Sequence, residues 1–130
     1  MAMDNLAAQD TEGTYRGKPG NWVCHLHIGY AGDTQIELME PVSGDSIFQE
    51  SLDQHGDAIQ HVAYWLNDAD YDAAAAHLEA SGYPLIQSFR LPILRVGNFD
   101  TLEAIGMGTE LVGSSEAGHE LKRNLKAGTF

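Results

Sequence analysis

The sequence predicts one α+β domain: a β-hairpin followed by a β-α-β-β-β module, with a mixed curved sheet carrying its helices on the outer face. Three observations predict it. Residues alternate with period two on either side of a Gly32-Asp33 turn; the strand-like run IQHVAYWL leads straight into an alanine-rich helix; three further short β-rich runs follow, punctuated by Pro92 and by Gly106 and Gly108. At 130 residues the chain can bury one core and is too short for two.

Taken in order, residues 1–14 are polar and without period, and read as a flexible lead-in. Residues 15–130 form the domain. Trp22 to Tyr30 and Thr34 to Met39 form the hairpin, with Pro41 stopping its second strand. Ile47, Phe48 and Leu52 mark one face of a helix from Asp45 to His55, capped by Ser43 or Asp45 and ended by Gly56. Ile59 to Leu66 is a strand, and a helix capped by Asn67 or Asp68 runs on to Gly82. Pro84 to Phe89, Leu94 to Phe99 and Thr109 to Val112 are the remaining strands. A closing helix spans Ser115 to Lys126, where Lys122, Arg123 and Lys126 complement its C-terminal dipole. Residues 57–113 thus make a complete module, and 15–42 resemble only the last two strands of another.

Composition narrows the function. Nineteen acidic against seven basic residues give a formal charge of −12, which repels a phosphate backbone or an anionic bilayer, so nucleic acid and membrane are not expected partners. An anionic substrate would need local basic groups such as Arg16, Lys18, Arg90 and Arg95 at its entry. The lone Cys24 cannot form an internal disulfide and reads as a small core residue. With no secretory signal visible at the start, the expected location is the cytoplasm.

The succession IELMEP, GDSIFQE, QHVAYWLNDAD, an alanine-rich helix ending SGY, and then NFDTLEAIGMGTELVG resembles the vicinal oxygen chelate superfamily of glyoxalases, bleomycin resistance proteins and dioxygenases. It is most similar to the glyoxalase and methylmalonyl-CoA epimerase branch, over about Tyr15 to Gly113. The resemblance implies two modules curving around a cup with a divalent metal at its base. By position it assigns Glu37, His61 and Glu110 to three of the four ligand places. The fourth, a His on the first module's opening strand, has no counterpart because the first strand-helix-strand is missing.

One imidazole and two carboxylates suit Zn, Ni, Co, Mn or Fe with open coordination positions. The resemblance implies that such a metal acts as a Lewis acid on a small substrate with adjacent oxygens, while Glu110 or Glu37 removes a proton next to a carbonyl. The expected activity is that of a lyase, isomerase or epimerase. Two alternatives stand beside it: a bleomycin-resistance-like binding protein without the metal, and an extradiol-type dioxygenase, which needs two His and one carboxylate.

Each residue also has a plainer reading. A strand Glu usually faces solvent, and His61 before VAYWL fits a satisfied core or rim histidine. A carboxylate at Glu110, in a short apolar strand, is costly if unpaired. His27 would replace the lost ligand only if the hairpin register shifts by one, because a two-residue turn pairs Glu37 with Ile28 and turns His25 and His27 away. His55, His77 and His119 read as surface groups; Trp22, Tyr30, Tyr64 and Trp65 as core or rim packing. The missing strand leaves Thr34 to Met39 as an open edge, from which a homodimer is expected. Otherwise the lead-in folds over that edge, or residue 1 lies inside a longer natural protein.

Overall fold

The structure is a computed structural model that describes residues 1–129. Its chain begins in a strand. Residues expected as a flexible lead-in form β1 (Ala2–Ala7), a short 3₁₀ turn (Ala8–Asp10) and β2 (Thr14–Tyr15), which pairs with β3 (Lys18–Pro19). The periodicity that would reveal β1 is broken by a bulge between Met3 and Leu6, where Asn5 takes a positive φ of 57°. The bulge lets Leu6, three residues after Met3, reach the same core.

β4 (Val23–Ala31) and β5 (Thr34–Ser43) close on the two-residue turn, pairing Ala31 with Thr34 and Ile28 with Glu37. Pro41 does not end β5. In this register the odd-numbered residues of β5 direct their N–H groups to its free edge, where proline's missing donor leaves no ladder bond unmade. β1 lies against the far side of β4, giving the order β1-β4-β5, so the N-terminal segment does not cover β5.

The next helix, α1 (Ile47–His55), is capped by Ser46 rather than Ser43 or Asp45: the Ser46 hydroxyl accepts from the Gln49 N–H at 3.0 Å. The second sheet is mixed, in the order β3-β2-β7-β8-β9-β6. It comprises β6 (His61–Asn67), β7 (Leu85–Leu91), β8 (Leu94–Phe99) and β9 (Gly108–Ser114), with α2 (Asp68–Ala80) after β6 and a single-turn α3 (Leu102–Ile105) before β9. β6 lies parallel to β9 and the other neighbours are antiparallel, the expected β-α-β-β-β connectivity. α4 (Glu116–Ala127) closes the chain, capped by Ser115. No helix among the described residues is long and apolar enough to cross a membrane.

The main core lies between the inner faces of the two sheets. Leu6, Trp22, Cys24 and Leu26 meet Phe89, Val96 and Val112 there, with Trp22 edge-on to Phe89 at 5.8 Å. A second cluster forms where α2 covers the outer face of β8 and β9 through Tyr71, Phe99, Leu111 and Leu78. Tyr71 seats there because Gly97 and Gly113 leave room: a Cβ on Gly97 would run into the Tyr71 hydroxyl, and one on Gly113 would lie 2.9 Å from the Tyr71 Cβ. Among the described residues no such helix covers the outer face of β5, where Ile36, Leu38 and Val42 are exposed, Leu38 by 67%.

Candidate functional site

Period-two alternation decides what faces the space between the sheets. On β5 it is Gln35, Glu37 and Met39; on β6, His61, Ala63 and Trp65; on β9, Glu110 and Val112. Glu37, His61 and Glu110 come together there, each offering a ligand atom within 4.8 Å of the others. His61 Nε2 is 2.9 Å from Glu37 Oε2 and 3.5 Å from Glu110 Oε2, so the two sheets touch through these groups. His25 and His27 turn away. His25 Nδ1 accepts from the Asn5 N–H at 3.1 Å, and His27 lies 3.8 Å from Asp4, so the hairpin register keeps His27 out of the cluster.

Two neighbours orient the trio, and sequence reasoning had not singled out either. Gln60 Oε1 lies 2.7 Å from His61 Nδ1, a contact that places a proton on Nδ1 and points Nε2 at the carboxylates. Asn98, opposite Glu110 on β8 and 2% exposed, donates from Nδ2 to Glu110 Oε2 at 2.9 Å, while its own Oδ1 is enclosed without a partner among the described residues. An asparagine at an inward position of LRVGNF was the available signal. Phe48 of α1 packs against the His61 ring at 6.1 Å.

The electrostatics follow from burial. Glu110 is 7% exposed, and desolvation, reinforced by Glu37, pushes its carboxyl up to about 8 against a smaller pull from His61. Burial works against a charged His61, but the hydrogen bond to Glu37 and the two carboxylate charges outweigh it and raise its value. These two shifts compete, since a protonated Glu110 lends His61 no charge. The direct contact, 2.9 Å from His61 Nε2 to Glu37 Oε2, is therefore the interaction with the imidazole that does not depend on the state of Glu110.

Residues 2–92 match the sequence model of the Glyoxalase/Bleomycin resistance protein/Dioxygenase superfamily. The chain belongs to this superfamily. The matched span includes β1, Glu37 and His61 and ends before Glu110. Among solved structures, this superfamily member is similar to the Streptomyces coelicolor methylmalonyl-CoA epimerase, a variant in complex with 2-nitronate-propionyl-CoA. The TM-score is 0.50 at 24% identity, over 74% of this chain and 69% of that one, a likeness of fold. No curated protein matches the chain significantly.

Of the four basic residues expected at a substrate entry, Arg16, Arg90 and Arg95 are otherwise engaged, and Lys18 lies on the short strand β3. Arg95 stacks 4.3 Å over Tyr71 and pairs with Asp68 and Asp72 on the outer face. Arg16 pairs with Glu50, and Arg90 lies 3.9 Å from Glu12.

Proposed function

We propose that this superfamily member is a metal-dependent isomerase or epimerase, in the wider class of lyase and isomerase chemistry, that moves a proton next to a carbonyl of a small substrate with adjacent oxygens. The observation that carries the reading is the convergence of Glu37, His61 and Glu110. The donor set fits a divalent cation: bonds of about 2.0–2.2 Å put neighbouring ligand atoms roughly 3–3.6 Å apart, and the structure has Nε2 at 2.9 and 3.5 Å from the two carboxylates. Glu37, His61 and Glu110 would hold the ion, and its chemistry there is that of a Lewis acid toward the substrate's oxygens.

The chain's own groups supply the rest. Gln60 fixes the imidazole tautomer that presents a lone pair at Nε2. Asn98 anchors Glu110 through Oε2, leaving Oε1 available to take a proton from the carbon next to the carbonyl. Glu37, whose side chain is 23% exposed on the edge strand, is placed to accept or return a proton from the other side of the cluster. The core that surrounds Glu110 excludes water from the transfer.

Only one imidazole is in the cluster, which departs from the two-His, one-carboxylate set of an extradiol dioxygenase. The open β5 edge and exposed Ile36, Leu38 and Val42 support a homodimer in which a second copy covers β5 and closes the cup. The test is elemental analysis of untagged protein and of Glu110→Ala, with deuterium exchange at carbons next to carbonyls. About one ion per chain, absent from the variant, is the expected result. Failure to take up metal after reconstitution would overturn the reading in favour of a metal-free ligand-binding cup.

A further inference from the structure

α4 carries His119, Lys122, Arg123 and Lys126 at helical spacings of three, four and seven residues, so they share one face. Three of the chain's seven Lys and Arg residues are therefore gathered on one helix face of a molecule with a formal charge of −12. That face borders a cavity of about 280 Å³ lined by Tyr30, Asp33, His119, Lys122, Arg123 and Lys126. Lys122 Nζ lies 4.8 Å over the Trp65 ring, with the His119 ring 6.3 Å from it.

Two features distinguish this cavity from an ordinary solvated helix face. The first is charge that the protein leaves unbalanced. Asp33 pairs with Lys126 at 2.6 Å and Glu116 with Arg123 at 2.8 Å, and His119 contacts the Asn67 side-chain oxygen at 3.0 Å, but among the described residues no carboxylate pairs with Lys122. The second is the Tyr30 hydroxyl, which is enclosed and has no hydrogen-bond partner among the described residues. A hydroxyl in that position can donate to an oxyanion, and burial raises its pKa against the pull of Lys126, keeping it protonated.

Strand geometry puts this cavity on the same side as the carboxylate cluster. Tyr30 pairs with Gln35, which faces the same way as Glu37 two residues on; Trp65 faces the same way as His61, four residues before it. At about 3.3 Å per residue, these offsets correspond to roughly 7 and 13 Å. We propose that the Tyr30, His119, Lys122, Arg123 and Lys126 cavity binds an anionic group of the ligand, a phosphate or a carboxylate, roughly 10 Å from the carbonyl that reacts at Glu37, His61 and Glu110. The ligand class that follows is an extended carbonyl compound with an anionic end. This assignment of ligand class rests on the proposed function, but anion binding at the cavity can be measured without it.

The experiment is an amide NMR titration of the full chain with inorganic phosphate and, separately, glutarate, at constant ionic strength with chloride as control. The expected result is saturable shifts around Tyr30 and Lys122 to Lys126, weakened at least about tenfold in Lys122→Gln/Arg123→Gln and several-fold in Tyr30→Phe, which removes only the hydroxyl. Stronger binding of phosphate would identify a phosphate group, and stronger binding of glutarate a carboxylate. Shifts that do not saturate, that chloride reproduces, or that the variants leave unchanged would overturn the proposal. A parallel zinc titration reads Glu37, His61 and Glu110 independently, so loss of metal binding with phosphate binding intact would count against the proposed function alone.

Discussion

Glu110→Gln converts the most buried titratable group of the site into an uncharged near-isostere that can still accept from Asn98 Nδ2. In metal-free protein the Glu110 carboxyl titrates near 8 instead of its ordinary 4.5. The folded state therefore holds a proton that the unfolded state has released. Stability is fully present below about pH 4.5 and is lost as pH rises through 8. At about 1.4 kcal/mol per pH unit the linked free energy is bounded at about 5 kcal/mol, and coupling to its charged neighbours reduces it to roughly 2–4 kcal/mol. Raised His61 acts in the same direction. Urea unfolding with a chelator present at pH 5.5 and pH 8.5 measures the loss. Wild type should lose most of those few kcal/mol across the interval while the variant changes much less, so that Glu110→Gln is the more stable protein at pH 8.5. Zinc at about 100 times its dissociation constant should restore about 2.7 kcal/mol to wild type and nothing to the variant. Parallel pH profiles for the two proteins would refute the account of Glu110 as a buried acid neutral at pH 7.

Four further outcomes are expected. Zinc affinity should rise with pH and level off above about 8, with protons released on binding at pH 7, read by calorimetry in buffers of different ionisation enthalpy. Gln60→Ala should weaken zinc binding about tenfold or more by freeing the His61 tautomer, with little change in the metal-free unfolding curve. The proposed dimer through β5 should appear in analytical ultracentrifugation and be shifted toward monomer by Leu38→Lys without lowering monomer stability, since Leu38 is exposed. Gly97→Ala should cost about 1–3 kcal/mol through collision with the Tyr71 hydroxyl, and Tyr71→Phe should recover part of that in a double-mutant cycle measured by thermal unfolding.

The hairpin register was legible because a two-residue turn fixes side-chain parity: Gly32-Asp33 puts Glu37 and His27 on opposite faces, and the resemblance had put Glu37 on the inner one. The second module was legible because its strands are short, apolar and separated by glycine or proline. β1 was not, since the bulge at Asn5 shifts the parity of Leu6 against Met3 and erases the alternation a strand would show. Arg95 was misplaced for a related reason. Charge says nothing about which face of β8 a residue occupies, and the side chain that receives it, Tyr71, comes from a helix twenty-odd residues earlier in the chain. The roles of Gln60 and Asn98 depend on which atoms meet across strands, information that residue type does not carry. The same holds for α4, whose basic residues read from sequence only as complements to a helix dipole.

β6 and β9 pair in parallel although about fifty residues of chain separate His61 from Glu110, and Glu37 reaches them from the other sheet. Contacts this distant in sequence carry a large loop-closure cost, and no local hairpin or helix brings these groups together. The three side chains meet only when the two sheets dock. A metal that binds all three would report that docking, and its binding rate during refolding would show when it occurs.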